Sequence, residues 1–301
     1  MNELFVKANV DESEKEHIAR PNLTALQDGW LRLKKNKAAV VCLFTLITIG
    51  LLAILAPEFS RYSYKETNYD IIYQTPSLVH LFGTDQFGRD LWVRTWMGTR
   101  ISLLIAFVAA LLDLTVGVAY GSVSALAGGK VDAVMQRIIE VLVGIPHLII
   151  VILLMMVMPA GIWTIVVALS ITGWVNMARL VRGSILKLKN QEFVLAARVL
   201  GTSTYGIIRK HLIPNTVGVI VINAMFTIPS AIFTEAFLSF IGIGMQEPKA
   251  SLGVLINNGY QVLRNFPHVL IFPAIVIVLI MVCFSILGDG LRDALDPRMR
   301  K

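Results

Sequence analysis

Apolar residues in this chain fall in long runs without alternation, separated by short polar stretches. A helix rises about 1.5 Å per residue, so about 20 consecutive apolar residues match the hydrocarbon thickness of a bilayer. Strands would instead show a period of two. Six runs meet the length, at residues 38–56, 101–127, 141–158, 162–178, 216–245 and 267–287. Pro57 marks the end of the first, and Pro159-Ala160-Gly161 makes a tight turn between the third and fourth. Pro146 and Pro229 lie inside the third and fifth, where the missing N–H and the ring should kink or break a helix. The expected fold is an all-α integral membrane protein of six transmembrane helices with both termini on one side.

The polar stretches carry their own pattern. Residues 1–20 are charged and expected to be a mobile tail. Leu23, Leu26, Trp30 and Leu33 then recur on one helical face, followed by Lys34, Lys35 and Lys37, which predicts a short interfacial helix within a segment 1–37. Residues 58–100 form a long connection ahead of the second run. There Asp85 is expected to cap a short helix over 86–97, with Asp90 and Arg94 at i,i+4 and Trp92 and Trp96 on one face at the membrane interface. The core 101–288 holds the other five spans and a basic island at 184–215, and residues 289–301 form a polar tail. In the island, Glu192, Ala196, Ala197, Arg198 and Leu200 suit a helix that stops at Gly201. Thr202 or Ser203 can cap a second helix running to Pro214. The island is too long for a simple turn and implies a binding partner.

Composition agrees with the membrane reading: of 301 residues, 55% are hydrophobic and 16% charged, and the mean hydropathy is +0.69. Lysine and arginine set the orientation. With six spans, 20 of the 27 fall on the side of the termini and the island and seven on the other, so the island and both termini are expected to be cytoplasmic. Basic residues set between apolar runs of span length do not suit a nucleic-acid partner, whereas lipid is an obligatory one. Cys42 and Cys283 lie in apolar runs without metal or redox spacing and are expected to be small buried hydrophobes.

Few polar residues fall at membrane depth. Asp113 lies about 18 Å into the second run by helical rise, near the bilayer centre, where a carboxylate must face protein or a cavity. With Asn176, Asn223 and Glu235 it is a candidate for the translocation path, although Glu235 falls near the outer rim. Glu140, three residues after Arg137, is expected to form a local ion pair. No phosphate-binding GxxxxGK[ST] loop, HExxH or GxSxG is present, so no catalytic residue, metal ligand or cofactor site is assigned. An ion-coupled secondary transporter would need paired broken helices in two repeated halves, and no inverted repeat is visible.

Ala196-Ala197, three residues, Gly201 and then Pro214 thirteen positions later resemble the EAA loop of ATP-binding-cassette importer permeases. Phe82-Gly-Thr-Asp-Gln-Phe-Gly-Arg-Asp90, Glu235-Ala-Phe-Leu-Ser-Phe-Ile-Gly-Ile-Gly244 and Gly288-Asp-Gly-Leu-Arg-Asp-Ala-Leu-Asp-Pro297 are similar to the peptide and nickel branch of that family, and most of all to its oligopeptide C-subunit group. The glutamate position of the EAA pattern is Leu195 here, and Glu192 lies one helical turn earlier. The resemblance implies a type I importer fold in a bacterial cytoplasmic (inner) membrane. It implies pairing with a second homologous permease subunit, two cytoplasmic ATPases that use ATP and Mg2+, and an extracytoplasmic peptide-binding protein. The residues Glu192, Ala196, Ala197, Arg198, Leu200, Gly201, Thr202, Ser203 and Pro214 would then form the coupling contact with one ATPase.

Overall fold

The computed structural model describes residues 25–295, and the secondary structure among them is helical apart from one isolated bridge between Thr84 and Asp90. The expected tail at 1–20, Leu23 and residues 296–301 lie outside the described residues. Helix α1 (Ala25–Leu33) leads into α2 (Lys37–Phe59), α3 (Leu91–Ala127), α4 (Gly129–Gly144), α5 (His147–Val157) and α6 (Ile162–Leu188). The island follows as α7 (Glu192–Val199) and α8 (Thr204–Ile207). A π turn (Ile208–Leu212) joins it to α9 (Ile213–Phe240), after which come α10 (Leu252–Gln261) and α11 (His268–Leu295).

Among the described residues, five helices are long and apolar enough to cross a membrane: α2, α3, α6, α11 and the continuous stretch from Thr204 to Phe240. The sixth candidate is the pair α4 and α5, bent by 78° at Pro146. The third expected span is therefore a broken one that begins at Gly129, and Pro146 breaks it because no N–H is available to continue the ladder. Pro229 does not interrupt α9.

Two prolines expected to end helices do not. Pro57 lies inside α2, which continues to Phe59. The proline leaves the Ala53 carbonyl without its i+4 donor, and Arg100 Nε donates to that oxygen at 2.9 Å while Arg100 Nη2 donates to Ile54 O at 2.7 Å. Pro214 lies in the first turn of α9, where a missing N–H is tolerated, and the π turn carries the helix past it. The expected polar tail also begins as helix, since α11 runs on to Leu295. Leu33 and Ala39 bury themselves against Leu287 and Ala294 there. Gly29 faces the Leu295 side chain, so α1 is docked on the end of α11.

The central contact is α3 on α6. Gly117 and Gly121 on α3 let the backbones close: a methyl at Gly117 would lie 2.6 Å from Met177 Cβ. Around this seam α9, α10 and α11 complete one apolar core that includes Ile105, Ile165, Ile232, Leu238 and Ile280. Cys42 and Cys283 are both free and buried, as expected.

Candidate coupling surface and cavity

The island is a surface feature held by a buried foot. Val194, Ala197, Ile207 and Leu212 pack with Ala125, Met177, Val181, Ile185 and Ile220 at the ends of α3, α6 and α9. Polar ties brace the same end. Arg182 donates to Asp132 from Nε at 2.7 Å and from Nη2 at 2.5 Å, Ser124 Oγ donates to Asp132 at 2.5 Å, and Lys189 Nζ donates to Ala125 O at 3.2 Å.

The corner of the island follows from one glycine. Gly201 N donates to Arg198 O at 2.9 Å and Thr202 N to Ala197 O at 3.0 Å, the two bonds of a Schellman cap. Gly201 has φ +78°, which a side chain disfavours, and a Cβ added there meets nothing within 4 Å. Ser203, rather than Thr202, caps the second helix and accepts from Gly206 N at 3.2 Å. The cap leaves Val199 and Leu200 87% and 84% exposed, with Tyr205 and Leu195 also outward. Of the residues assigned to coupling, Glu192, Ala196, Arg198, Leu200, Gly201, Ser203 and Pro214 are exposed, Thr202 is half-buried, and Ala197 belongs to the foot. Pro214 lies on α9 beyond the π turn and is not part of the corner.

A second feature is a cavity of about 470 Å3 between α3, α6, α9 and the α4–α5 break. Asp113, Asn176 and Asn223, three of the four path candidates, line it together. Asp113 lies against Gly173 of α6, whose missing Cβ leaves room for the carboxylate. Beside the Pro146 break, His147 Nδ1 is paired with Thr172 Oγ1.

Glu235 does not join them. It is fully buried at the far end of the molecule, where Ser102 Oγ donates to it at 2.7 Å and Ser239 Oγ at 2.9 Å. Met245 N donates to Ser239 Oγ at 3.1 Å and Leu252 N to Ser102 Oγ at 3.3 Å, so the carboxylate joins α3, α9 and α10. It lies outside the cavity lined by the other three path candidates and forms an interhelical staple. Such a carboxylate is kept buried because its lone pairs are satisfied.

At the same end, the motif from Phe82 to Asp90 departs from the expected helix. Asp90, not Asp85, caps α3, accepting from Val93 N at 2.9 Å, and the short helix is simply the start of the second span. Asp85 closes the preceding turn through Phe87 N and Arg89 N and binds Arg89 Nε at 2.7 Å. Glu247 then takes Arg89 in a fork at 2.9 Å on each oxygen and accepts from Asn258 at 2.7 Å. Arg94, expected to pair with Asp90, is fully buried and lies between Asp85 at 3.2 Å and Glu247 at 3.4 Å. Asp90 pairs with His80 at 2.8 Å instead. Burial alone would raise the Glu247 carboxyl, but the hydrogen bonds and charge of Arg89 hold it below the usual value. Trp92 and Trp96 do share a face, in edge contact at 5.5 Å, and Trp96 is buried in the core. The expected Arg137–Glu140 pair forms at 2.9 Å.

The chain has relatives over almost its whole length. It is 48% identical to the oligopeptide transport system permease protein OppC of Bacillus subtilis, over 99% of this chain and 98% of that one. It is also 48% identical to the dipeptide transport system permease protein DppC of the same organism, over 99% and 94%. The Escherichia coli OppC is 46% identical over 91% of each chain. Residues 24–76 match the N-terminal transmembrane domain of oligopeptide transport permease C. In fold, the chain resembles an inward-facing MetNI methionine ABC transporter structure, with a TM-score of 0.55 at 20% identity, covering 66% of this chain and 94% of that one. With residues 117–301 matching the binding-protein-dependent transport system inner membrane component, the chain belongs to the peptide-family permeases of ABC importers and is a multi-pass inner membrane protein.

Proposed function

We propose that this chain carries oligopeptides into the cell as one of two related permease subunits, driven by two separate ATPases and fed by an extracytoplasmic binding protein. The observation that carries the reading is the Val199–Gly201 corner: an exposed apolar tip on a foot buried in the helix bundle. An isolated apolar tip costs solvation unless a groove receives it, and a helix-in-groove contact with an ATPase does so. Motion of that groove on ATP closure passes through Ala197 and Ile207 into the ends of α3, α6 and α9 and alternates access to the cavity. ATP and Mg2+ belong to the partner subunits in this reading.

The cavity favours a peptide-like solute. Beside its one carboxylate, its polar lining is neutral, with Thr172, Asn176, Asn223, Thr227, Ser230 and Thr234 offering donors and acceptors for amides. Expression in a permease-null strain that needs peptides to grow is the test. Growth on tripeptides and pentapeptides is the expected result. Growth on dipeptides alone would make this a dipeptide permease, and rescue of nickel uptake without peptide growth would sink the reading.

A further inference from the structure

One group in the cavity has no counterpart in the protein. Asp113 is only 5% exposed, its Oδ1 has no hydrogen-bond partner among the described residues, and its side chain makes no ion pair there. Buried carboxylates are otherwise satisfied here: Asp85, Asp90 and Glu235 each hold at least one donor. A charged carboxylate left buried and unpaired is strongly disfavoured, so in its ionised form such a position calls for a cation beside it. Among the described residues no lysine or arginine lines the cavity, and of the two ring nitrogens of His147 the Nδ1 is engaged by Thr172. Gly173 makes the arrangement possible, because any Cβ there would collide with the carboxylate.

We propose that Asp113 is a subsite for a primary ammonium group of the passing solute, with the neutral lining of Thr227, Ser230 and Asn223 beside it receiving backbone amides. The inference rests on the peptide reading above. The ammonium has two sources in a peptide, the N-terminus and a lysine side chain, and both offer three donors to one carboxylate. Asp113 is thereby a specificity residue of the permease rather than a structural acid.

The test uses the complete transporter, reconstituted in vesicles with saturating binding protein. The peptides are whichever of Ala-Ala and Ala-Ala-Ala the wild type carries, with Ala-Lys or Ala-Lys-Ala beside it. Asp113→Asn is expected to lower initial uptake of the transported peptide about tenfold or more, the loss of one charge-assisted hydrogen bond, while Asp113→Glu retains most of it. An equal fall for both peptides identifies the N-terminal ammonium, and a fall confined to the lysine peptide identifies the side chain. Undiminished uptake by Asp113→Asn of both peptides would overturn the inference and leave the peptide reading standing. A wild type that takes up none of the peptides would overturn the peptide reading and this inference with it. Should Asp113→Asn fail to assemble, the unsubstituted complex gives the answer. Modification of Asp113 by a hydrophobic carbodiimide, located by mass spectrometry, is slowed by the transported peptide during turnover, and equal labelling with and without peptide overturns the proposal.

Discussion

Two buried acids show how far a residue can be read from sequence. Asp113 and Glu235 both fall in apolar runs, and both stood as path candidates for that reason. Depth separated them only in part. What distinguishes them is their neighbours: Gly173 beside one, Ser102 and Ser239 beside the other, the first 60 positions away and Ser102 133 positions away. Helical period supplies Ser239, four residues on from Glu235, but neither Gly173 nor Ser102. The staple assignment predicts that Glu235→Ala strands two buried hydroxyls and opens a void, lowering stability by about 3 kcal/mol. Thermal unfolding of the purified transporter in detergent checks this, and an unchanged midpoint would contradict the staple. Gly201, by contrast, was legible as a helix stop because glycine adopts φ +78° with the least strain.

Elements were legible where apolar length decides them and misread where a distant partner does. All six runs have helical counterparts, and the glycine-ended island helix is present. Pro57 failed as a stop because Arg100, on another helix, supplies the missing donor. The start of α3 moved from Asp85 to Asp90 because the Asp85 carboxylate is committed to Arg89 and the turn before it. That clamp joins the connection before α3 to the loop before α10 through Glu247, and it has a pH dependence. The Glu247 carboxyl is depressed below its ordinary value of 4.5 in the folded protein. Its stabilising contribution is therefore complete above that ordinary value and lost as pH falls through the depressed one. Measured unfolding midpoints should drop below about pH 4.5, with Glu247→Gln removing part of the drop. A Glu247→Gln profile parallel to that of the wild type would exclude the clamp as its source.

At the scale of the molecule, the chain has two working ends joined by glycine-lined packing. The α3–α6 seam runs from the foot of the island to Asp113 through Gly121, Gly117 and Gly173. In the proposed reading, a push on the island would reach the cavity through closely packed backbone rather than through loops. Charge bias, from which the island is expected on the cytoplasmic side, and the exposed tip agree with an ATPase docking there in the proposed reading. The central claim is that contact, and Gly201→Arg tests it most directly. The side chain would project from the corner into open space, so the chain's own packing loses little beyond about 1–2 kcal/mol of backbone strain. Purified from membranes in mild detergent, the Gly201→Arg permease is expected at normal levels with its partner permease subunit but short of the one ATPase that docks on this corner, whereas Gly201→Asn, suited to a left-handed residue, keeps the full complement. Stoichiometric ATPase on the Gly201→Arg permease would contradict the account.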